Sequence, residues 1–139
     1  MILEDEGTYY MYYTANLGRN RSHHTVHLRT STDLLTWSPA SIALTHPIQG
    51  TGAGPTESPF AVKYESHFYL FIGPAGEYHR TTVYRSPNPH HWNMSSEITS
   101  IPSHAAEIVQ DEKGNYYASD SGWDLTGVHL APLTWEPAK

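Results

Sequence analysis

Three segments of the chain share one order of apolar and polar positions. Each has a short apolar stretch, a polar turn and then a stretch rich in aromatic residues: Met1–Tyr13, Phe60–Ile72 and Ile108–Ser119. Alternation of this kind around a short polar turn is typical of a β-hairpin, and Gly7 and Gly114 supply turn geometry in two of the three. The pattern therefore predicts three hairpins.

A second pattern follows each hairpin. An alternating strand runs into a turn that a tryptophan closes, in Val26–Trp37, Val83–Trp92 and Val128–Trp135. Ser41–Thr45 and Glu97–Ile101 supply a fourth, outer strand to the first two units. Four antiparallel strands in a repeat of about 45–60 residues are the signature of a β-propeller blade.

The fold class predicted is all-β, a β-propeller fragment of about three four-stranded antiparallel blades. The approximate blades are residues 1–48, 55–102 and 104–139 of one partial domain. No stretch keeps a 3.6-residue apolar period, so almost no helix is expected. The third unit stops before a fourth strand, which predicts open sheet faces at both ends. We expect such faces to be covered in a homo-oligomer that completes the propeller.

Composition narrows the function classes. The 139 residues carry a formal net charge of −6 and are 38% hydrophobic and 16% charged. An acidic chain is poorly suited to binding nucleic-acid phosphates. The sequence has no apolar run of about 18 residues, so no membrane-spanning helix is predicted. Cysteine is absent, which excludes disulfides and thiolate metal sites and leaves localisation undecided. Ten tyrosines and four tryptophans favour strands and are compatible with stacking on sugar rings.

A carboxylate lies directly before the inner strand of the second unit. The segment reads Gly-Pro-Thr-Glu57-Ser58-Pro59-Phe60, and in a propeller the inner strand lines the central channel. Glu57 is therefore the main candidate for catalysis. An ordinary loop glutamate is the alternative.

These residues resemble a known family. Glu57-Ser58-Pro59 matches the Glu-x-Pro motif of the five-bladed propeller glycosidases of glycoside hydrolase families 32, 43 and their relatives, which act on β-fructosides, arabinosides and xylosides. The strands that follow, and the stretch Leu28–Ser38, also look like the family's blades. The resemblance covers essentially the whole chain. It implies a glycoside hydrolase with Glu57 as general acid and a carbohydrate as substrate.

The departures from the family are as informative. The resemblance places an aspartate nucleophile or base in a blade that has no counterpart here, and a second aspartate just before Met1. Two of three carboxylates are thus expected to lie upstream of a truncated chain, and activity would need a partner chain or a longer gene product. The main alternative is a non-catalytic carbohydrate-binding propeller fragment. A further alternative is an unrelated all-β binding module, which would require the Glu-x-Pro match to be accidental.

Three further residues are candidates for binding substrate. His104 opens the third repeat near the place that Glu57 holds in the second, either as a pocket histidine for a sugar hydroxyl or as a structural residue. Trp123 is a candidate to stack on a sugar or to cap the core, and Arg80 lies in a loop that could reach a ligand. Neither a cofactor nor a metal is predicted. His23, His24 and His27 lie in a loop and the following strand, which give no standard metal-ligand spacing, so we expect these histidines to be solvated.

Overall fold

The computed structural model describes residues 1–17, 23–49, 54–73, 79–122 and 127–136. The strands of the first sheet are β1 (Ile2–Asp5), β2 (Thr8–Leu17), β3 (His23–Ser31) and β4 (Ser41–Gln49). Those of the second are β5 (Phe60–Tyr64), β6 (His67–Ile72), β7 (Thr81–Ser86) and β8 (Glu97–Ile101). The third sheet has β9 (Ile108–Gln110), β10 (Tyr116–Asp120) and β11 (His129–Leu133).

Every sheet is an antiparallel meander in which neighbours along the chain are neighbours in the sheet. The all-β prediction is confirmed, and β8 has the predicted bounds, whereas β4 is longer than predicted. Two short 3-10 helices, at Gly54–Thr56 and Met94–Ser96, are the only helices in the described ranges. Neither is long or apolar enough to cross a membrane.

The tight turns explain why the hairpins form where the sequence predicts them. Gly7 and Gly114 have φ values of 78° and 87°, in the left-handed region that glycine adopts without a steric penalty. The middle hairpin has no glycine there, and Glu65 takes a φ of 52° instead. The turn is therefore a shared feature of the repeat even where its preferred residue is absent.

The repeat tryptophan of one sheet packs on the preceding sheet. Trp92 follows β7 and meets Tyr12 of β2 edge to face, with ring centroids 5.5 Å apart. Trp135 follows β11 and stacks on Tyr64 of β5, with centroids 4.5 Å apart and ring planes at 11°. Each tryptophan thus joins its own sheet to the one before it.

Two apolar cores fill the spaces between successive sheets. The core between the first and second sheets includes Tyr12, Leu28, Leu44, Leu70 and Trp92. The core between the second and third is built around a smaller buried group: Phe71, Val83, Ile108 and Ala118. The second sheet is therefore covered on both faces, as a middle blade of a propeller is.

The inner strands of the sheets converge. Lys63 of β5 forms a 2.6 Å ion pair with Asp5 of β1. Burial lowers the pKa of the Met1 amino group, and the Glu107 carboxylate, just before β9, opposes this shift. The ion pair shows that β1 and β5, the inner strands of the first two sheets, lie side by side.

Candidate active site at the start of the inner strands

Glu57 is held by its backbone on both sides. Its N–H donates to the Gly54 carbonyl oxygen at 3.1 Å, and its own carbonyl oxygen accepts the Gly73 N–H at 2.7 Å. Ser58, with a φ of 49°, then turns the chain into β5. The residue is half-buried, and its carboxylate makes no hydrogen bond or ion pair with the described residues. The backbone of Glu57 is therefore held in place, while its carboxyl group has no hydrogen-bond or ion-pair partner among the described residues.

Gly73 is required by the close approach of Glu57. A Cβ atom placed on Gly73 would lie 2.9 Å from both the Cβ and the carbonyl oxygen of Glu57. Contacts this short do not occur between real Cβ atoms and backbone, so no larger residue fits without moving the glutamate. Sequence reasoning missed this residue. The signal was a glycine directly after the second strand of the unit that carries Glu57.

The first sheet supports the turn that precedes Glu57. Thr14 of β2 donates its hydroxyl proton to the Thr56 carbonyl oxygen at 2.5 Å, and Thr56 is fully buried. Gly54 lies against the His24 ring, since a Cβ there would come 2.6 Å from His24 Cε1. Residues from both sheets thus fix the backbone of the candidate acid.

The prediction that His24 is solvated is wrong. Its side chain is only 3% exposed. His24 lies two residues before Val26 and four before Leu28 in β3, which pairs with β2 in unbroken register, so simple alternation puts all three side chains on the buried face of the strand. Within the described residues, no group of three or more histidine, cysteine, aspartate or glutamate side chains is arranged to hold a metal.

His104 occupies in the third sheet the position that Glu57 occupies in the second. Its carbonyl oxygen accepts the Ser121 N–H at 3.0 Å, as the Glu57 carbonyl accepts the Gly73 N–H. Its own N–H donates to Asp120 Oδ1 at 2.9 Å. The His104 side chain is buried. The two candidate side chains therefore begin equivalent inner strands of adjacent sheets.

A threonine of the preceding sheet anchors the third inner strand as well. Thr81 at the start of β7 donates to the Ser103 carbonyl oxygen at 2.9 Å, directly before His104. Its hydroxyl also lies 3.4 Å from the Ala106 N–H, which donates to it. Thr14 and Thr81 thus play matching parts at the two junctions.

Arg80 is exposed and precedes β7. It therefore lies at the edge of the second sheet where β6 ends and β5 begins, the edge that carries Glu57. It lines a cavity of about 260 Å³ together with Ser100 and Pro102, and neither Glu57 nor His104 lines that cavity. Arg80 thus lies at the same end of the second sheet as Glu57 but in a separate depression.

Trp123 lies outside the described residues. Gly122 and Gly127, the described residues on either side of positions 123–126, lie close together, because a Cβ on Gly122 would lie 1.9 Å from the Gly127 carbonyl oxygen. Gly122 also has a φ of 63° and donates its N–H to Asp120 Oδ1 at 3.3 Å. Asp120 therefore links the base of this loop to the His104 backbone.

The site offers one uncommitted carboxylate and one buried histidine at neighbouring strand starts. A positioned carboxyl group can donate a proton to a leaving oxygen, and an imidazole can hydrogen-bond a hydroxyl. The Asp120 carboxylate is already engaged by two backbone N–H groups. The arrangement suits one half of an acid–base pair.

Comparison with known proteins gives likenesses of structure only. No family model matches the chain, and no curated protein matches it. An exo-β-1,3-galactanase from Phanerochaete chrysosporium, solved with β-1,3-galactotriose, superposes with a TM-score of 0.73 at 21% identity, covering 95% of this chain and 34% of that one. A family 43 β-1,3-galactosidase gives a TM-score of 0.72 at 17% identity, covering 96% and 31%.

A third structure, the family 43 enzyme from Xanthomonas citri with xylose, gives a TM-score of 0.66 at 15% identity, covering 96% of this chain and 51% of that one. The chain therefore spans about a third to a half of the length of these structures. The likeness shows that this chain has the fold of part of a family 43 propeller.

Proposed function

We propose that this chain is a glycoside hydrolase-like protein in which Glu57 is the general acid. The observation that carries the proposal is the half-buried Glu57 carboxylate, which has no partner among the described residues and begins an inner strand in a fold shared with glycoside hydrolases. The backbone bonds to Gly54 and from Gly73 fix the backbone of Glu57 before any ligand binds. Such preorganisation is what proton transfer to a leaving group requires.

Hydrolysis of a glycosidic bond needs two carboxyl groups on either side of the scissile bond. In the proposed mechanism Glu57 protonates the leaving oxygen, and the second group attacks the anomeric carbon or activates water. That second carboxylate is supplied by a longer form of the protein or by a partner chain. His104 binds a sugar hydroxyl beside Glu57, while Arg80 and Trp123 contact the substrate from the surrounding loops.

The substrate class proposed from the sequence is an arabinoside, fructoside or xyloside. Two structural neighbours are named as a galactanase and a galactosidase, which adds β-1,3-galactosides to the proposed substrates. A third was solved with xylose, which favours xylosides within the class proposed from the sequence. All of these substrates are neutral, and an acidic chain does not repel them.

We also propose that a homo-oligomer covers the two end faces of the chain. On the outer face of the third sheet Leu130 is 62% exposed and Val109 is 45% exposed. On the first sheet Ile2 and Ile42 are similarly exposed. Grouped aliphatic residues of this kind mark surfaces that associate. Light scattering is the test, and a mass that stays at the monomer value at all concentrations would contradict this part of the proposal.

Hydrolysis assays test the catalytic role. The 139-residue chain is incubated with aryl arabinofuranoside, xylobiose, sucrose, levan and β-1,3-galactobiose, and release of the reducing sugar or aryl group is followed. Glu57→Gln should lower the rate by about 10²–10⁴-fold, because it removes the proton donor and keeps the shape. Glu65→Gln, on the exposed turn at the far end of the same hairpin, should leave the rate unchanged.

Each outcome decides something. Equal turnover by the wild-type chain and Glu57→Gln would remove Glu57 from the chemistry. Sugar binding without any turnover in the wild-type chain would favour the non-catalytic carbohydrate-binding alternative.

A further inference from the structure

Two buried histidines lie on one face of the first sheet, at the junction with the second. His24 of β3 is 3% exposed and His46 of β4 is 5% exposed. Val26, two residues after His24, pairs with Leu44, two residues before His46. Alternation therefore puts both imidazoles on the same face as Val26 and Leu44, which belong to the core shared with the second sheet.

The His24 ring supports the turn that leads to Glu57. A Cβ on Gly54 would lie 2.6 Å from Cε1 and 2.9 Å from each ring nitrogen of His24, so the ring packs directly on the Gly54 backbone. The Gly54 carbonyl oxygen in turn accepts the Glu57 N–H at 3.1 Å. Within the described ranges His24 Nδ1 has no hydrogen-bond partner, so no bond at this nitrogen holds the ring. The contact between His24 and Gly54 therefore depends on what packs around the ring.

A bulge in β4 lies beside His24. The pairing of β3 with β4 shifts register there, so residues 46–48 of β4 oppose His24 alone. Within this bulge His46 Nδ1 accepts the Ile48 N–H at 3.2 Å. An imidazole nitrogen that accepts a hydrogen bond carries no proton, so a proton added to the neutral His46 ring must go to Nδ1. Protonation would set two donors against each other and break the bond that closes the bulge.

The surroundings of His46 favour its neutral form. Burial first, and then the neighbouring His24, lower the pKa of His46, while Glu97 at the start of β8 opposes this shift. The described residues that pair with or contact His24 are Asn16 of β2, Gly54 and the bulge, and of these only His46 titrates. A proton on His46 therefore places a charge in a buried site next to a second imidazole.

We propose that His24 is a positioning residue for Glu57, which acts through Gly54, and that it does so only while the His24–His46 pair is uncharged. This inference rests on the proposed role of Glu57 as the general acid. With the pair neutral, the bulge is closed and the ring supports the turn. When acid protonates His46, the bond to Ile48 breaks, His24 loses its lateral support and the turn before Glu57 loosens.

The sign of the pH dependence follows from the same contacts. The pKa of His46 in the closed bulge lies below its ordinary value of 6.5. The open bulge binds the proton more readily than the closed one, so the positioning of Glu57 is complete at pH 7.5 and is lost progressively below about pH 6.5.

The test follows the Glu57 backbone amide by ¹⁵N NMR in the full chain, so that positioning is measured without any substrate. Between pH 7.5 and 5.5 the wild-type Glu57 amide signal should shift along one titration curve with the His46 ring signal. In His46→Asn, whose side-chain oxygen still accepts the Ile48 N–H, this shift should be lost. The matched control is His67→Asn, at the far end of the second hairpin, which should leave the shift in place.

A second arm removes the ring contact at pH 7.5. His24→Ala should speed hydrogen exchange of the Glu57 amide by about tenfold, because the Gly54 carbonyl oxygen that accepts it is no longer held. His24→Phe keeps a ring on Gly54 and should restore slow exchange. The amide of Leu70, in the central strand β6, reports global unfolding and should exchange at the wild-type rate in both variants.

Two results would overturn the proposal. One is a Glu57 amide that exchanges at the wild-type rate in His24→Ala, and the other is a Glu57 titration that persists in His46→Asn. The pH arm decides even where His24→Ala does not fold. Neither result touches the general-acid role, which the hydrolysis rate of Glu57→Gln tests separately. Equal hydrolysis by Glu57→Gln would in turn remove that role while the amide still behaves as expected.

Discussion

The two junctions between successive sheets differ in how completely they bury the repeat tryptophan. At the first junction Trp92 is only 1% exposed and lies within a core to which both sheets contribute large side chains. At the second, Trp135 remains half-buried beside an open groove. The same repeat therefore gives a complete interface only where the outer strand of the preceding sheet is covered.

The two threonines that anchor the inner strands show the reverse order. At the first junction Thr14 makes one hydroxyl bond, to the carbonyl oxygen before Glu57. At the second, the fully buried Thr81 hydroxyl donates to Ser103 and accepts from Ala106. The threonine at the second junction thus makes more buried bonds, although the first junction also has the buried Tyr12 hydroxyl, which donates to the Pro89 carbonyl oxygen at 2.7 Å. This difference can be tested by substitutions at equivalent places.

Replacing the two tryptophans gives the largest expected contrast. Trp92→Ala should lower the free energy of unfolding by about 3–5 kcal/mol, because it leaves a cavity in a closed core. Trp135→Ala should cost clearly less, since its ring borders a groove that is already open. Urea unfolding followed by circular dichroism measures both. Equal losses would mean that the two junctions are equally complete.

The glycine behind the candidate acid is the next test. Gly73→Ala should cost about 2–3 kcal/mol, because the new Cβ would press on the backbone of Glu57. Ser121 holds the equivalent place behind His104 and already carries a Cβ, so Ser121→Ala should be nearly neutral. Thermal unfolding of the two variants checks the prediction. A tolerated Gly73→Ala would show that Glu57 is not held tightly.

Replacing the two threonines should give a smaller contrast, and here the substitution at the second junction should lose more stability. Thr81→Val should lower the free energy of unfolding by about 1–2 kcal/mol, because it removes a buried donor and acceptor at once. Thr14→Val removes one bond and should cost less. Thr81→Ser, which keeps the hydroxyl, is the control in the same urea experiment. A larger loss for Thr14→Val would contradict the stronger threonine anchor at the second junction.

Acidification should produce the smallest effect, and it should act through the first sheet. Burial, and then the neighbouring His24, lower the pKa of His46, whose Nδ1 accepts the Ile48 N–H at 3.2 Å. A pKa below the unfolded value of 6.5 means that the unfolded chain binds the proton more readily, so stability falls as the pH drops below about 6.5. Burial lowers the pKa of His27 in the same sheet, which adds in the same direction.

The melting temperature at pH 7.5 and 5.5 measures this dependence. His46→Asn keeps an acceptor for the Ile48 N–H and removes the titration, so the difference between the two melting temperatures should shrink. An unchanged difference would assign the acid sensitivity to other groups.

Local rules predict most of the fold. Alternation with period two, a turn residue and a repeated tryptophan are sufficient for the hairpins, and the internal repeat then defines the sheets. The same rules place Glu57 before β5 and His104 before β9. They do not predict Gly73 or Thr14 as supports of Glu57, because these contacts join residues from distant parts of the chain. His24 was misplaced although the strand pattern was sufficient to predict its burial, because alternation in β3 puts it on the same face as the buried Val26 and Leu28.

Ligand-detected changes at the two candidate residues test the central claim most directly. The chain is labelled with ¹³C in its glutamate and histidine side chains and titrated separately with xylose and galactose. If the inner strands begin around one shared sugar site, the Glu57 carboxyl and His104 ring signals will shift along a single saturation curve while Glu65 stays still. Shifts with separate midpoints, or a bound sugar that leaves the Glu57 signal unmoved, would contradict the account.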